Sequence, residues 1–453
     1  MTTVGLAGEE ARRYRRAVRG FVVRVLAILT ACWLVVGASL ASLLPGGGWT
    51  AAAVWALFTV APVCVFILTR SRGVYPGALV RLLIFRPLWY AQLFILPLAP
   101  VGVLGWIAGW PFGHAQAAGR AAILVAGGLM AWLALAGYAG SRRLEVRRFV
   151  AVVPDLPTAA DGLTVAQVSD LHVGPQTSRR HLARVMAAVV AEKPELIAVT
   201  GDLVDDFPRD AEHYAAGLGA LAAPLGVFAV PGNHEVYSGW AALRPRLEAL
   251  PLTLLVNRSV KIARHGGHLV VAGTGDPAAP RGAEVAPDID GALAGVPAGT
   301  FVLALAHNPA LWPELAARGV GLTLSGHTHW GQLAFPRRSW SLASPFLELA
   351  MGAHTNGKSV LYIHPGTNYW GIPFRLGHAA QVAIITLRRG ERAEFRDEAS
   401  GELRDAELRV VTRGTEGQRA EKAKAAAAPL SPEDVRAIVE EFLDARQLTR
   451  RGT

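Results

Sequence analysis

The sequence predicts an apolar, helical N-terminal region joined to a layered α/β domain, and three observations predict it. Hydrophobic residues make up 52% of the 453 and charged residues only 18%, against about 25% charged in ordinary soluble chains. The apolar excess is concentrated early: between Gly20 and Gly140 the only charges are Arg24, Arg70, Arg72, Arg81, Arg86 and Arg120. From Leu163 onward short β-rich runs alternate with helical segments, the pattern of strands and helices packed in layers.

Four apolar stretches, at 21–45, 50–69, 87–109 and 121–140, approach or exceed the ~20 residues that a helix needs to cross hydrocarbon. A helix satisfies its own backbone there, where no water is available to do so. Residues 1–148 are therefore expected to form a membrane region of about four helices, with the lipid bilayer as partner. The loops fix an orientation. The N-terminal segment carries Arg12, Arg13, Arg15, Arg16, Arg19 and Arg24, while Arg70, Arg72, Arg81 and Arg86 follow the second stretch and Arg142, Arg143, Arg147 and Arg148 follow the fourth. An even number of crossings puts these segments on one side, and positive-inside asymmetry makes it cytoplasmic. A rival reading takes Arg15-Arg16 before an apolar run as a twin-arginine export signal.

Charge also bears on partners. Up to Val150 there are fifteen Arg against three Glu, a surplus of twelve in a chain of net charge +10, so the remainder is net −2. The basic balance thus belongs to the membrane region, and no nucleic-acid partner is expected. Cys32 and Cys64, the only cysteines, lie in apolar runs, which excludes a disulfide framework or a cysteine metal site.

Within the α/β region, strands are expected at 163–168, 196–200, 227–230, 269–272, 301–305, 322–324, 359–363 and 382–387, and helices at 178–192, 210–222, 240–249 and 309–318. The domain is expected over 149–412. A polar, Ala- and Lys-rich linker is expected over 413–430, and a capped amphipathic helix over 431–447 that begins at Ser431-Pro432-Glu433-Asp434.

Five short elements, each ending a predicted strand, hold the distinctive polar groups: Ser169-Asp170-Leu171-His172, Gly201-Asp202-Leu203-Val204-Asp205, Gly232-Asn233-His234-Glu235, Ala306-His307-Asn308 and Gly326-His327-Thr328-His329. Strand ends in α/β sheets are where sites assemble. Asp, Asn and His without Cys suit divalent Mn²⁺, Fe²⁺ or Zn²⁺. Two residues apart on extended backbone, the members of D-x-H and H-x-H would face the same way. Asp170, His172, Asp202, Asn233, His307, His327 and His329 give seven donors, too many for one four-coordinate ion but suited to two ions sharing a carboxylate. Such a pair, about 3.5–4 Å apart, clamps both oxygens of an in-line phosphoryl displacement.

The order of these motifs resembles the calcineurin-like metallophosphoesterases, and the wording Gly-Asn-His-Glu, Ala-His-Asn-Pro and Gly-His-Thr-His-Trp-Gly-Gln is similar to their bacterial membrane-associated branch. The likeness covers residues 150–390. It implies a four-layer α/β/β/α sandwich and two divalent ions, manganese first. Asp170, His172, Asp202 and His329 would hold one ion, and Asp202, Asn233, His307 and His327 the other. It further implies that His234 contacts the phosphate and assists the leaving group, and that the protein sits in a bacterial inner membrane. Enzymes of this kind include those that cleave the pyrophosphate of UDP-2,3-diacylglucosamine in lipid A synthesis. An apolar rim from Trp330, Tyr369, Trp370 and the segment 337–352 would suit such a lipid-linked substrate; ordinary core packing is the plainer alternative. Trp330 and His364 depart from the branch pattern. Trp330 is expected to enlarge the pocket rim and His364 to be structural. Asp205, Asp206 and Glu235, beside the ligands, are expected to support them or face solvent. The competing class is a membrane sensor or scaffold that keeps the metal site without turnover.

Overall fold

The computed structural model describes residues 23–24, 26–43, 64–65, 68–69 and 73–398. It divides into two compact units between Leu135 and Ala136.

In the first unit an apolar helix, α1 (Leu26–Leu40), precedes two helices long and apolar enough to cross a membrane: α2 (Ala78–Phe112) and α3 (Ala115–Gly140), whose last turn belongs to the second unit. Val36 of α1, Ile95 and Ala99 of α2 and Ile123 of α3 share a small buried cluster. The expected stretches at 87–109 and 121–140 fall within α2 and α3. Of the expected crossing at 21–45, α1 is the described helical part, too short to meet the same length test. The stretch at 50–69 lies almost wholly outside the described residues, and among the described residues two helices qualify as candidate spans. The linker at 413–430 and the helix at 431–447 also lie outside the described residues.

The second unit contains β1 (Leu144–Val153), β2 (Thr164–Val168), β3 (Leu196–Thr200), β4 (Val227–Val230), β5 (Thr253–Leu254), β6 (Arg258–Arg264), β7 (Gly267–Gly273), β8 (Val302–Leu305), β9 (Leu322–Ser325), β10 (Ala334–Phe335), β11 (Trp340–Ser341), β12 (Gly352–Asn356), β13 (Ser359–Ile363), β14 (Ala380–Arg389) and β15 (Glu394–Asp397). One sheet has the order β15-β1-β14-β2-β3-β4-β5 and the other β12-β13-β9-β8-β7-β6, with β10-β11 as a separate hairpin. Strands β2, β3 and β4 are mutually parallel, as are β7, β8 and β9.

Period-two alternation sorts the side chains between layers. Val165, Leu196 and Phe228 of the first sheet meet Val271, Leu303 and Leu322 of the second in one buried cluster. Their sequence neighbours Ala166, Ile197 and Ala229 face outward onto Leu182, Val185, Tyr214, Leu218, Leu243 and Leu247. These come from α4 (Arg179–Glu192), α5 (Asp210–Leu218) and, beyond the short α6 (Asn233–Tyr237), α7 (Trp240–Glu248). On the far side Val270, Val302 and Ala304 pack on Ile289 and Leu315, from α8 (Ile289–Ala292) and α9 (Trp312–Ala317). The result is a mixed α/β sandwich of two inner sheets with helices on both outer faces. Leu303 is fully buried between the sheets, so Leu303→Ala is expected to cost about 2–5 kcal/mol, read as a lower urea midpoint for the detergent-solubilised chain.

Each predicted strand has a counterpart, but β1, β6, β12 and β15 and the two-residue strands β5, β10 and β11 were not anticipated. The basic exit segment is the main case. Arg143 lies just before β1, while Arg147 and Arg148 lie within it, so this first strand begins five residues before 149. Along β1 the burial alternates towards its end, and the strand pairs in parallel with β14, more than two hundred residues later.

Candidate metal centre

The five polar elements follow the C-terminal ends of β2, β3, β4, β8 and β9, so the parallel strands of both sheets deliver them to one edge of the sandwich. Hydrogen bonds across the sheets fix that edge. Gln167 Nε2 donates to the Ser325 carbonyl at 3.0 Å and to Thr200 Oγ1 at 2.9 Å. A segment after β13 closes it from the side: Thr367 N donates to the Ser169 carbonyl at 2.7 Å, and Asn368 Nδ2 to the Leu171 carbonyl at 2.8 Å.

The backbone reaches the site by turns and not by extended chain. Asp170, His172, Asp202, His327 and His329 all have positive φ, between 42° and 72°, a region that non-glycine residues rarely adopt and that clusters at functional sites. The expectation that D-x-H and H-x-H converge through extended geometry is therefore corrected. Left-handed residues held by loop hydrogen bonds do it instead, among them Asp170 N to the Gly201 carbonyl at 3.1 Å and His172 N to the Asp202 carbonyl at 3.0 Å. Gly232 is required by close approach: a Cβ there would stand 2.3 Å from Asp202 Oδ1.

All seven donor residues come together, in two groups. His172 Nε2 and His329 Nε2 are 3.0 Å apart, and His329 Nε2 lies 3.3 Å from Asp170 Oδ1. Asn233 Oδ1 lies 2.8 Å from His327 Nδ1 and 3.2 Å from His307 Nε2. Asp202 Oδ2 stands between the groups, 3.7 Å from His172 Nε2 and 3.3 Å from His307 Nε2. Two donors each about 2.1 Å from one cation stand about 3.0–3.4 Å apart at octahedral or tetrahedral angles, so these spacings fit divalent ions.

Protonation states favour ligation at three of the four histidines, and His307 would give up its Nε2 proton to bind a metal. Burial drives His172 and His329 well below the ordinary histidine pKa and His327 down to about 4, leaving their ring lone pairs available. Burial opposes charge on Asp202 and His307 too, but their mutual attraction outweighs it, holding Asp202 well below and His307 well above their usual values. Burial pushes the Asp170 carboxyl up to about 6. Asp170 Oδ2 is buried with no hydrogen-bond partner. A buried oxygen so placed is suited to a cation as its partner. The His307 ring is oriented by Nδ1, which donates to the Thr200 carbonyl at 2.8 Å and leaves Nε2 as the ligand atom.

His234 lies at the rim of this cluster. Its backbone N donates to Asp202 Oδ1 at 2.9 Å, and its ring Nδ1 donates to the Asp205 carbonyl at 2.6 Å. Burial works against its imidazolium, but the Asp202 carboxylate and the Asp205 carbonyl prevail and raise its pKa. Tyr237 and Trp370 flank the ring at centroid distances of 5.8 and 6.1 Å, and both are about half exposed.

Two supporting residues carry more than their sequence reading suggested. Asp205 sits between imidazoles, its carboxylate 3.8 Å from His172 Nδ1 and 3.9 Å from His234 Nδ1. Glu235 is wholly buried and accepts four backbone N–H groups, from Gly232 at 2.7 Å, Asp202 and Leu203 at 2.9 Å and Val204 at 3.1 Å. An acid at the third position of a helix opening on Gly232 was the available signal. Asp206 is near by in sequence, and its N–H bonds to Asp210 Oδ2 at 3.3 Å. Trp330 does not enlarge the rim. It is buried against Trp312, Leu349 and Met351, and its Nε1 donates to the Ile363 carbonyl at 2.9 Å. His364 is also buried, accepting from Gly366 N at 3.0 Å.

Comparison with known proteins is consistent with this architecture. A family profile described as calcineurin-like phosphoesterase matches residues 163–331. An uncharacterized metallophosphoesterase of Aquifex aeolicus is 31% identical over 251 residues, covering 54% of this chain and 92% of that one. A bovine protein described as a transmembrane protein with metallophosphoesterase domain is 34% identical over 248 residues, 51% of this chain and 54% of its own. The chain spans 54–60% of the length of the first curated relatives it matches. Among solved structures, the calcineurin-like phosphoesterase YfkN of Bacillus subtilis covers 46% of this chain and 82% of its own at 15% identity and a TM-score of 0.31. With the profile spanning all five polar elements and all seven donor residues, and with a relative matched over nearly its whole length, the chain belongs to the calcineurin-like phosphoesterase family.

Proposed function

We propose that this protein is a membrane-anchored hydrolase of phosphodiester or pyrophosphate bonds that works with two divalent ions, manganese foremost. The observation that carries the reading is the position of Asp202 Oδ2, within 3.7 Å of a nitrogen in each histidine group. One carboxylate common to both groups is what a binuclear centre needs. Divalent cations bound there would supply Lewis acidity towards phosphoryl oxygens and lower the pKa of water.

The chain's own residues supply the rest. Asp170, His172 and His329 orient one half of the site, and Asn233, His307 and His327 the other. His234 gives its Nδ1 proton to the Asp205 carbonyl as a fixed hydrogen bond, so the proton it can deliver to a departing oxygen is the one on Nε2. The half-exposed Tyr237 and Trp370 beside it favour a substrate with an apolar part. UDP-2,3-diacylglucosamine, the substrate suggested by the motif likeness, has one. Anchoring is supported by α2 and α3 and by the bovine relative's description, and the Arg-rich flanks favour the cytoplasmic face of a bacterial inner membrane.

Chelation tests the reading. Protein stripped with a strong chelator should lose hydrolysis of bis(p-nitrophenyl) phosphate and recover it on addition of Mn²⁺. An undiminished rate after stripping, with metal content shown to be nil, would sink it. Parallel assays with the acylated nucleotide sugar decide the substrate: activity on the aryl diester alone removes the lipid-linked assignment.

A further inference from the structure

The last turn of α3, Ala136–Gly140, lies in the same compact unit as the hydrolytic domain and is stitched to it. Arg375 N donates to the Gly137 carbonyl at 2.9 Å. Side chains at Gly137 and Gly140 would collide with their neighbours: a Cβ would stand 2.2 Å from the Phe374 ring and 2.1 Å from the Arg375 carbonyl, respectively. From that segment the backbone pairs onward. Leu376 N donates to the Gln332 carbonyl at 3.0 Å, Ala334 N to the Leu376 carbonyl at 3.0 Å, and Leu342 N to the Leu333 carbonyl at 2.8 Å. At about 4.8 Å per paired chain, Leu342 stands on the order of 15 Å from the helix end. A helix of 26 residues rises about 39 Å, which exceeds the ~30 Å hydrocarbon core and brings its final turns into the headgroup layer.

Within that reach the surface is unusually apolar. Trp340 is 39% exposed, Leu342 40%, Phe346 82% and Leu347 41%. Arg337 and Arg338 are exposed beside them, and the nearest acidic residue in sequence is the exposed Glu348 after Leu347. Exposed aromatic and leucine side chains next to arginines form a surface matched to a bilayer interface, with the cations facing anionic headgroups. The patch is continuous with the rim of the metal site. Gln332 Nε2 donates to the Trp370 carbonyl at 3.0 Å and Gln332 Oε1 accepts from Trp370 N at 2.9 Å, and the Trp370 ring stands 6.1 Å from that of His234.

We propose that the segment Arg337–Leu347 enters the anionic interfacial layer of the bilayer crossed by α3 and holds the His234 side of the metal site against the lipid surface. The proposal rests on the membrane-anchored reading above. An amphiphilic phosphoester would then present its phosphate to the site while its apolar part stays in the bilayer.

The test uses the full chain with Cys32→Ser and Cys64→Ser, carrying either Phe346→Cys or Lys358→Cys labelled with an environment-sensitive fluorophore. Lys358, at the opposite end of β13, is the exposed control. The chain is reconstituted in vesicles of phosphatidylcholine and phosphatidylglycerol containing a spin-labelled lipid quencher. A blue-shifted Phe346→Cys label, quenched several-fold more than the control, is expected. A label as hydrated and unquenched as the control, on a chain that still floats with vesicles after an alkaline carbonate wash, overturns the proposal and leaves anchoring intact. A chain removed by that wash overturns the anchoring reading, and the proposal falls with it.

Discussion

Asp202→Ala is expected to empty the site of metal and to lower kcat at least about a thousandfold, roughly 4 kcal/mol of barrier. Among the described residues, Asp202 Oδ2 lies within 4 Å of a histidine nitrogen in each group, at 3.7 and 3.3 Å. Its Oδ1 also receives the His234 N–H at 2.9 Å, so the substitution removes the shared ligand and a tether of the acid together. His234→Ala is the informative partner. It should reduce turnover of bis(p-nitrophenyl) phosphate by about 10²–10⁴, the usual worth of a general acid, while both ions stay bound, because His234 is not one of the seven donors and its ring meets that of His172 in a T-shaped contact, 4.5 Å between centroids. Metal content by plasma emission, measured beside the rates, separates the two. An Asp202→Ala protein that keeps its metal and its rate would end the binuclear reading.

Glu235→Gln should be nearly as damaging, and for a different reason. An ionised carboxylate has about four lone-pair positions, and backbone N–H groups of Gly232, Asp202, Leu203 and Val204 use four. Glutamine keeps the shape but turns one acceptor into a donor, so two of these buried N–H groups lose their partner. At about 1–3 kcal/mol for each unsatisfied group, the loss is about 2–6 kcal/mol, a large part of a typical domain's stability. The loop that moves carries Asp202, so metal affinity should fall about 10–100-fold, as it does when outer-layer partners of ligands are removed. Urea unfolding in detergent and competition with a metal-binding dye read the two effects. A wild-type midpoint together with wild-type metal affinity would show that the carboxylate is dispensable.

The contrast between these two acids shows what the sequence could and could not convey. Asp202 was legible because its role is set by residue type and by a place after a strand, and both survive in one dimension. Glu235 was legible only as a neighbour that supports the ligands or faces solvent, because its partners at 202–204 are brought to it by the parallel pairing of β3 with β4. Trp330 misled in the same way. With φ at 51°, its backbone turns the side chain away from the rim and into the core beside Trp312. The strand β1 was missed because arginines after an apolar run look like a juxtamembrane flank, whereas the pairing that makes them a strand comes from β14. The alternating runs that form β2, β3, β4, β8 and β9 could be read directly, since each is short, apolar and closed by a polar turn.

The left-handed turns at Asp170, His172, Asp202, His327 and His329 have a kinetic corollary. Conformations this uncommon persist only where surrounding contacts over-determine them, and here the stitches are part of the sandwich itself: Asp170 to Gly201, His172 to Asp202, and His327 N to Asp170 Oδ1 at 2.9 Å. The socket's shape is thus held by hydrogen bonds of the sandwich itself. Uptake should then be limited by how fast an incoming ion sheds its hydration water, and swapping one divalent ion for another should leave the loops where they were.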